Sequence, residues 1–210
     1  MYIYYVFFGL FGLLLIWAVG SYLVVKNIEK PAYTVIENRD GYEIREYLPY
    51  IVAEATVSGS RQQATNSGFR IIADYIFGNN VSKSSIAMTA PVLESQTSQK
   101  IAMTSPVLNT EGTENERIIA FVLPSAYTLE TLPTPNNSAV RIREVPAQKV
   151  AALKFTWYPT AKRIDSKEEL LQSFLQRDEV NIIGNVQVAQ YNPPLSMPLV
   201  LRNEIIIPIE

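Results

Sequence analysis

The residues best suited to chemistry in this chain are two methionines set in a repeated word. Ile-Ala-Met-Thr-x-Pro-Val occurs at Ile86–Val92 and again at Ile101–Val107, with Met88 and Met103 at equivalent positions. Two thioethers brought together would make a soft metal site. The spacing argues against it. Two strands joined by the polar stretch Glu94–Lys100 should pair antiparallel, with opposite residue numbers summing to about 194. Met88 then faces Ser105 or Pro106, and the two sulfurs are offset by roughly 10 Å along the strands. The word therefore reads as architecture: neighbouring strands, with both methionines filling core or pocket. Pro91 and Pro106 mark strand ends, because proline cannot donate to a ladder.

Other chemistries lack their reagents. The chain has no cysteine and no histidine. That excludes disulfides, iron–sulfur clusters, ordinary zinc sites, Ser-His-Asp triads and a proximal histidine on haem iron. Carboxylates such as Glu54, Asp74 and Glu204 are scattered, without visible pairing, so the expectation is a protein that is not an enzyme. Eighteen basic residues against twenty acidic ones leave no electrostatic footprint for nucleic acid.

The elements that position these residues fall into two parts. Ile3–Val25 is uncharged, and fourteen of its residues are Leu, Ile, Phe or Val. As a helix it spans roughly 34 Å, enough to cross a bilayer's hydrocarbon core. Tyr2, Tyr4, Tyr5 and Tyr22 suit the two interfaces. The expectation is an uncleaved, single-pass anchor that contacts lipid through residues 3–25. Lys26 and Lys30 follow the span, with nothing basic before it, which biases the main domain to the cytoplasm. Residues 1–30 then form anchor and linker, and 31–210 a single domain. In that domain "YTVIENRDGYEIREY" reads as a hairpin around Asp40-Gly41. Strands are expected at 51–57, at both repeated words, and at 117–123, 139–145, 149–157, 185–191 and 203–209. Ser60 with Gln63 opens a helix that ends near Gly78, with Ala64, Gly68, Ile71, Ile72 and Tyr75 at helical spacing. Ser166 with Glu169 opens a second, whose apolar stripe is Leu170, Leu171, Phe174 and Leu175. The fold class is α+β: a distorted antiparallel β-barrel with two flanking helices, built from two similar ββαββ-like halves and preceded by one transmembrane helix.

"IAMTAPV", "IAMTSPV", "YEIREY", "FVLP" and "YNPPLSMPLVLRNEIIIPI" together resemble the SOUL haem-binding protein family, over about Tyr33–Ile209. The resemblance implies a distorted β-barrel with two helices, and binding of haem or another tetrapyrrole without a general enzymatic reaction. It places the ligand in an apolar groove beside the first helix and the late Pro-rich loop, here 61–77 and 192–202. The residues expected there are Arg61, Phe69, Ile72, Ala73 and Ile76 on the helix, with Leu195, Met197, Leu199 and Arg202 in the loop. Phe69, Ala73 and Ile76 form a second apolar line at i, i+4, i+7, available to a ligand if the first line faces the sheet. Arg61, Arg70 or Arg202 could pair haem propionates. Some family members are proposed to use a histidine on the iron. Lacking one, this chain is expected to hold haem through burial and propionate pairing, at lower affinity and with less dependence on iron. The alternative is a module for another amphipathic small molecule, or for a protein partner.

Overall fold

The computed structural model describes residues 2–82, 98–112, 115–193 and 195–210. The chain opens with α1 (Tyr2–Lys26), whose stretch Phe7–Lys26 is long and apolar enough to cross a membrane and is little covered by the rest of the chain. The expected hairpin follows as β1 (Tyr33–Arg39) and β2 (Tyr42–Tyr47), closed at Arg39↔Tyr42. Gly41 makes the turn with φ +97°, and a Cβ there would fall 2.3 Å from the Phe174 ring, so both backbone and space require glycine.

The remaining strands are β3 (Tyr50–Ser58), β4 (Asn80–Val81), β5 (Val107–Glu111), β6 (Glu116–Val122), β7 (Thr134–Pro135), β8 (Arg141–Val145), β9 (Gln148–Phe155), β10 (Gln187–Gln190) and β11 (Asn203–Pro208). Nine form one antiparallel sheet in the order β1-β2-β9-β11-β10-β5-β6-β3-β8, while β4 and β7 pair separately. This order contains the expected two halves. The run β2, β3, helix, β5, β6 corresponds to β8, β9, helix, β10, β11, and the halves meet where β5 lies beside β10. The opening strands are exchanged: β2 pairs with β9 of the second half, and β8 with β3 of the first. Each exchange follows a two-residue link containing proline, Leu48-Pro49 or Pro146-Ala147, where the chain leaves one strand for a distant one.

Two helices cover one face of the sheet. α2 (Arg61–Ile76) begins as read, with the Gln63 side chain accepting from the Ser60 backbone N–H at 3.2 Å. It lies on β3 and β6 so closely that a Cβ on Gly68 would stand 2.5 Å from Ile119. α3 (Ala161–Arg177) starts five residues before the expected Ser166. Its cap is Thr160, whose hydroxyl accepts from the Arg163 N–H at 3.4 Å. Ile164, Leu171 and Leu175 are its buried stripe and pack on β9 and β11. Each such side chain contributes about 1.5–3 kcal/mol on burial. On the opposite face a third cluster joins Tyr47 of β2 to Val145 of β8. Those strands lie near opposite ends of the sheet order, and a curled sheet, open between β1 and β8, brings them together.

The second copy of the repeated word has a different structure from that expected. The first copy lies outside the described residues. In the second, Ile101–Pro106 is irregular and the strand begins only at Val107. Met103 is 43% exposed rather than core, because the segment turns Ile101 and Thr104 inward instead.

Candidate ligand-binding site

The residues expected at the groove lie in two different surroundings. On α2, Phe69 is 37% exposed and rests against the Phe121 ring, with centroids 5.1 Å apart. Ile72, Ala73 and Ile76 are buried, with Ile72 and Ile76 in the cluster that includes Ala53, Ile101, Ile119 and Leu132. The expected second apolar line therefore stops at Phe69. Its lower part is covered by the chain itself: the Ile101 N–H donates to the Ile76 carbonyl and the Tyr75 hydroxyl to the Pro133 carbonyl. Arg61 bridges the two outer helices, reaching Asp165 of α3 at 3.3 Å. Arg70 is exposed, with Nε donating to the Asn66 carbonyl at 3.3 Å.

The loop between β10 and β11 turns to α1 and to the turn after β9. The Trp17 indole N–H donates to the Leu195 carbonyl at 3.0 Å, and the Met197 N–H to the Ser21 hydroxyl at 2.9 Å. The Trp157 N–H donates to the Pro198 carbonyl at 2.9 Å. Leu195 is 85% and Leu199 59% exposed, while Met197 is half-buried.

Arg202 belongs to a cluster on the helix-free face that sequence reasoning missed. Arg45 is wholly buried and grips Glu204 through both Nη atoms, at 2.8 and 3.1 Å; its Nε donates to Glu43 at 2.8 Å. Glu204 also accepts from the Tyr191 hydroxyl at 2.7 Å and from Arg202 at 2.8 and 3.0 Å. Arg45 lies 4.5 Å over the Tyr33 ring and Arg202 4.2 Å over that of Tyr191. Burial alone would push the Glu204 carboxyl up, but hydrogen bonds from Arg45 and the two guanidinium charges hold it below the usual carboxylate range. Strand alternation carried the signal. "YEIREY" puts Glu43, Arg45 and Tyr47 on one face of β2, and "RNEII" puts Arg202, Glu204 and Ile206 on one face of the last strand.

Two of the carboxylates singled out in the sequence carry ion pairs. Glu204 is held as above, and Glu54 accepts from Arg143 at 2.8 Å. Among the described residues no group of three acidic side chains gathers as a metal site. A cavity of about 450 Å³ lies elsewhere, between the linker after α1, the β2–β3 link and the segment after β6. Leu48, Tyr50, Ile51, Leu123 and Leu129 line it, beside Glu29, Glu130, Glu144 and Lys30. Its volume falls in the range of small-molecule sites.

Comparison with known proteins bears on what such a fold carries. The SOUL heme-binding protein family matches residues 28–208. No curated protein matches the chain. Among solved structures it is similar to the EcmrR C-terminal domain, with a TM-score of 0.59 at 10% identity, covering 85% of this chain and 98% of that one. It is also similar to a hydrolase from Listeria innocua, with a TM-score of 0.51 at 11% identity, covering 83% and 94%. At such identities the likeness is one of fold.

Proposed function

The chain belongs to the SOUL haem-binding family, and from that premise we propose that it is a membrane-anchored, non-enzymatic binder of haem or another tetrapyrrole that uses no histidine ligand. Residues 1–30 serve as anchor and linker, and 31–210 as the binding domain. The observation that supports a site is the open edge of α2. There Phe69 is partly exposed beside the Phe121 ring, and Arg70, exposed on the same helix, is placed to meet a propionate, whereas Arg61 would have to leave Asp165 to do so. Covering a few hundred Å² of a flat apolar ligand at about 25 cal/mol per Å² yields several kcal/mol before ordering costs. That is enough for micromolar binding without an iron ligand. From the loop, Arg202 is committed to Glu204 and Met197 is tied to α1, so α2 carries the larger share.

A second reading rests on the 450 Å³ cavity. Its lining brings three carboxylates and one lysine. A dianionic haem is disfavoured there, whereas an uncharged or cationic amphiphile is suited.

Titrating the detergent-solubilised chain with haem and with metal-free protoporphyrin separates the readings. Equal affinities, both lost in Phe69→Asp, support the α2 edge. A strong preference for haem implies iron ligation and removes the ligand-free mechanism. Binding to neither porphyrin, together with uptake of a cationic amphiphile that Leu48→Asp abolishes, selects the cavity instead.

A further inference from the structure

The contacts of the β10–β11 loop with α1 have a geometric consequence, which rests on the membrane-anchor reading above. The apolar run Ile3–Val25 is roughly 34 Å long as a helix, against a hydrocarbon core of about 30 Å, leaving little slack. The loop is bonded to α1 well inside that run, at Trp17 and Ser21. Trp17 stands nine residues before Lys26, roughly 13 Å along the helix axis. If α1 left the bilayer below Trp17 so that the loop could stay in water, only residues 3–16 would remain to span. Fourteen residues cover about 21 Å, too short for the core. The loop must therefore enter the membrane beside the helix.

We propose that Leu195–Leu199, with Trp157 and Tyr158, is seated in the lipid interface against α1, and that this contact holds the domain flush with the bilayer. The loop is built for such a place. Leu195 and Leu199 are exposed and apolar. Prolines at 193 and 198 remove two backbone donors that lipid could not satisfy. The Leu195 carbonyl and the Met197 N–H are satisfied by Trp17 and Ser21 of α1. The Ser196, Val200 and Leu201 N–H groups bond within the loop. Trp157 and Tyr158, both exposed, are joined to the loop through Pro198 and supply the amphipathic rings favoured at headgroup level.

The chain has no cysteine, so single labels can be placed at will. Nitroxide-labelled Leu195→Cys and Leu199→Cys chains, full length in phosphatidylcholine vesicles, are measured for collision with oxygen and with a water-soluble nickel chelate. Leu13→Cys reports on the anchor, and Ile183→Cys, an exposed apolar position away from the loop, on water. The expected result is oxygen-rich, chelate-poor behaviour at 13, 195 and 199, and the reverse at 183. Lipid exposure at 13 with water exposure at 195 and 199 overturns this inference and leaves the anchor standing. Water exposure at 13 overturns the anchor and the inference with it.

Discussion

Replacing Glu204 by glutamine tests whether the cluster on the helix-free face is held by charge. The substitution keeps size and hydrogen-bonding shape but removes the charge opposing Arg45 and Arg202. Arg45 is fully buried, so water cannot compensate. Breaking a buried pair costs about 3–5 kcal/mol. The lower end, about 3 kcal/mol, applies here, because Glu43 still holds the Arg45 Nε. For a chain of this size that is a drop of roughly 6–12 °C in Tm. Thermal unfolding of the full chain in detergent, followed by near-ultraviolet circular dichroism, measures it. A companion double variant, Arg45→Met with Glu204→Leu, removes both charges and should recover most of the loss, since apolar replacements of buried pairs are often neutral or better. The sign with pH follows from the depressed Glu204 carboxyl. Its contribution is complete above the unfolded value of about 4.3 and is lost as pH falls through the lower folded value. A loss under about 1 kcal/mol in Glu204→Gln, or a double variant no better than the single, would refute the reasoning.

Gly68→Ala should cost about 1–3 kcal/mol, because the added methyl meets Ile119 beneath α2; an unchanged midpoint in urea would contradict the packing described. Asp178, held at about 2 by the Arg177 guanidinium and helped by the Tyr42 hydroxyl, should stabilise the fold above its usual pKa and cease to do so as pH drops towards 2. Asp178→Asn should flatten that acid limb, and a carboxyl titrating near 4 by carbon NMR would oppose this. Tyr50, pushed up to about 12 by burial, should keep its proton at pH 10.5, so phenolate absorbance there should be the same in the folded chain and in Tyr50→Phe.

Period-two alternation ending at Asp40-Gly41 made the first hairpin legible, because pattern and turn chemistry agreed. β3, β6, β8, β9, β10 and β11 were legible for the same reason, whereas β4, β5 and β7 were not. The start of α3 was not. Ser166 and Glu169 have a cap's spacing, yet Ile164 already belongs to the buried stripe, and Thr160 stands before the four residues that carry it in. In the second copy of the repeated word the alternation read as a strand, while Ile101–Pro106 packs irregularly ahead of β5. At the site, periodicity correctly found two apolar lines on α2 but could not say what covers the second. The covering segments, near Ile101 and Leu132–Pro133, are about 25 and 55 residues further on, and long-range packing leaves no local trace. The Arg45–Glu204 pair was hidden similarly, since its partners stand 159 residues apart.

The exchange of opening strands bears on the order in which the chain can become itself. β2 waits for β9, over a hundred residues later, and β3 for β8; β5 has one neighbour within its own half and gains the other, β10, only near the end. During synthesis, therefore, the first half emerges with three strands that each lack one neighbour, and its sheet cannot be completed until the second half arrives. Loop closure of this range is entropically slow, and β pairings so distant in sequence retard folding further. A nascent chain with open strand edges is also prone to pair with its neighbours. Carboxy-terminal truncation before Gln187 should therefore yield an aggregating product rather than a smaller stable domain, even though the first half carries a helix, a hairpin and most of a core.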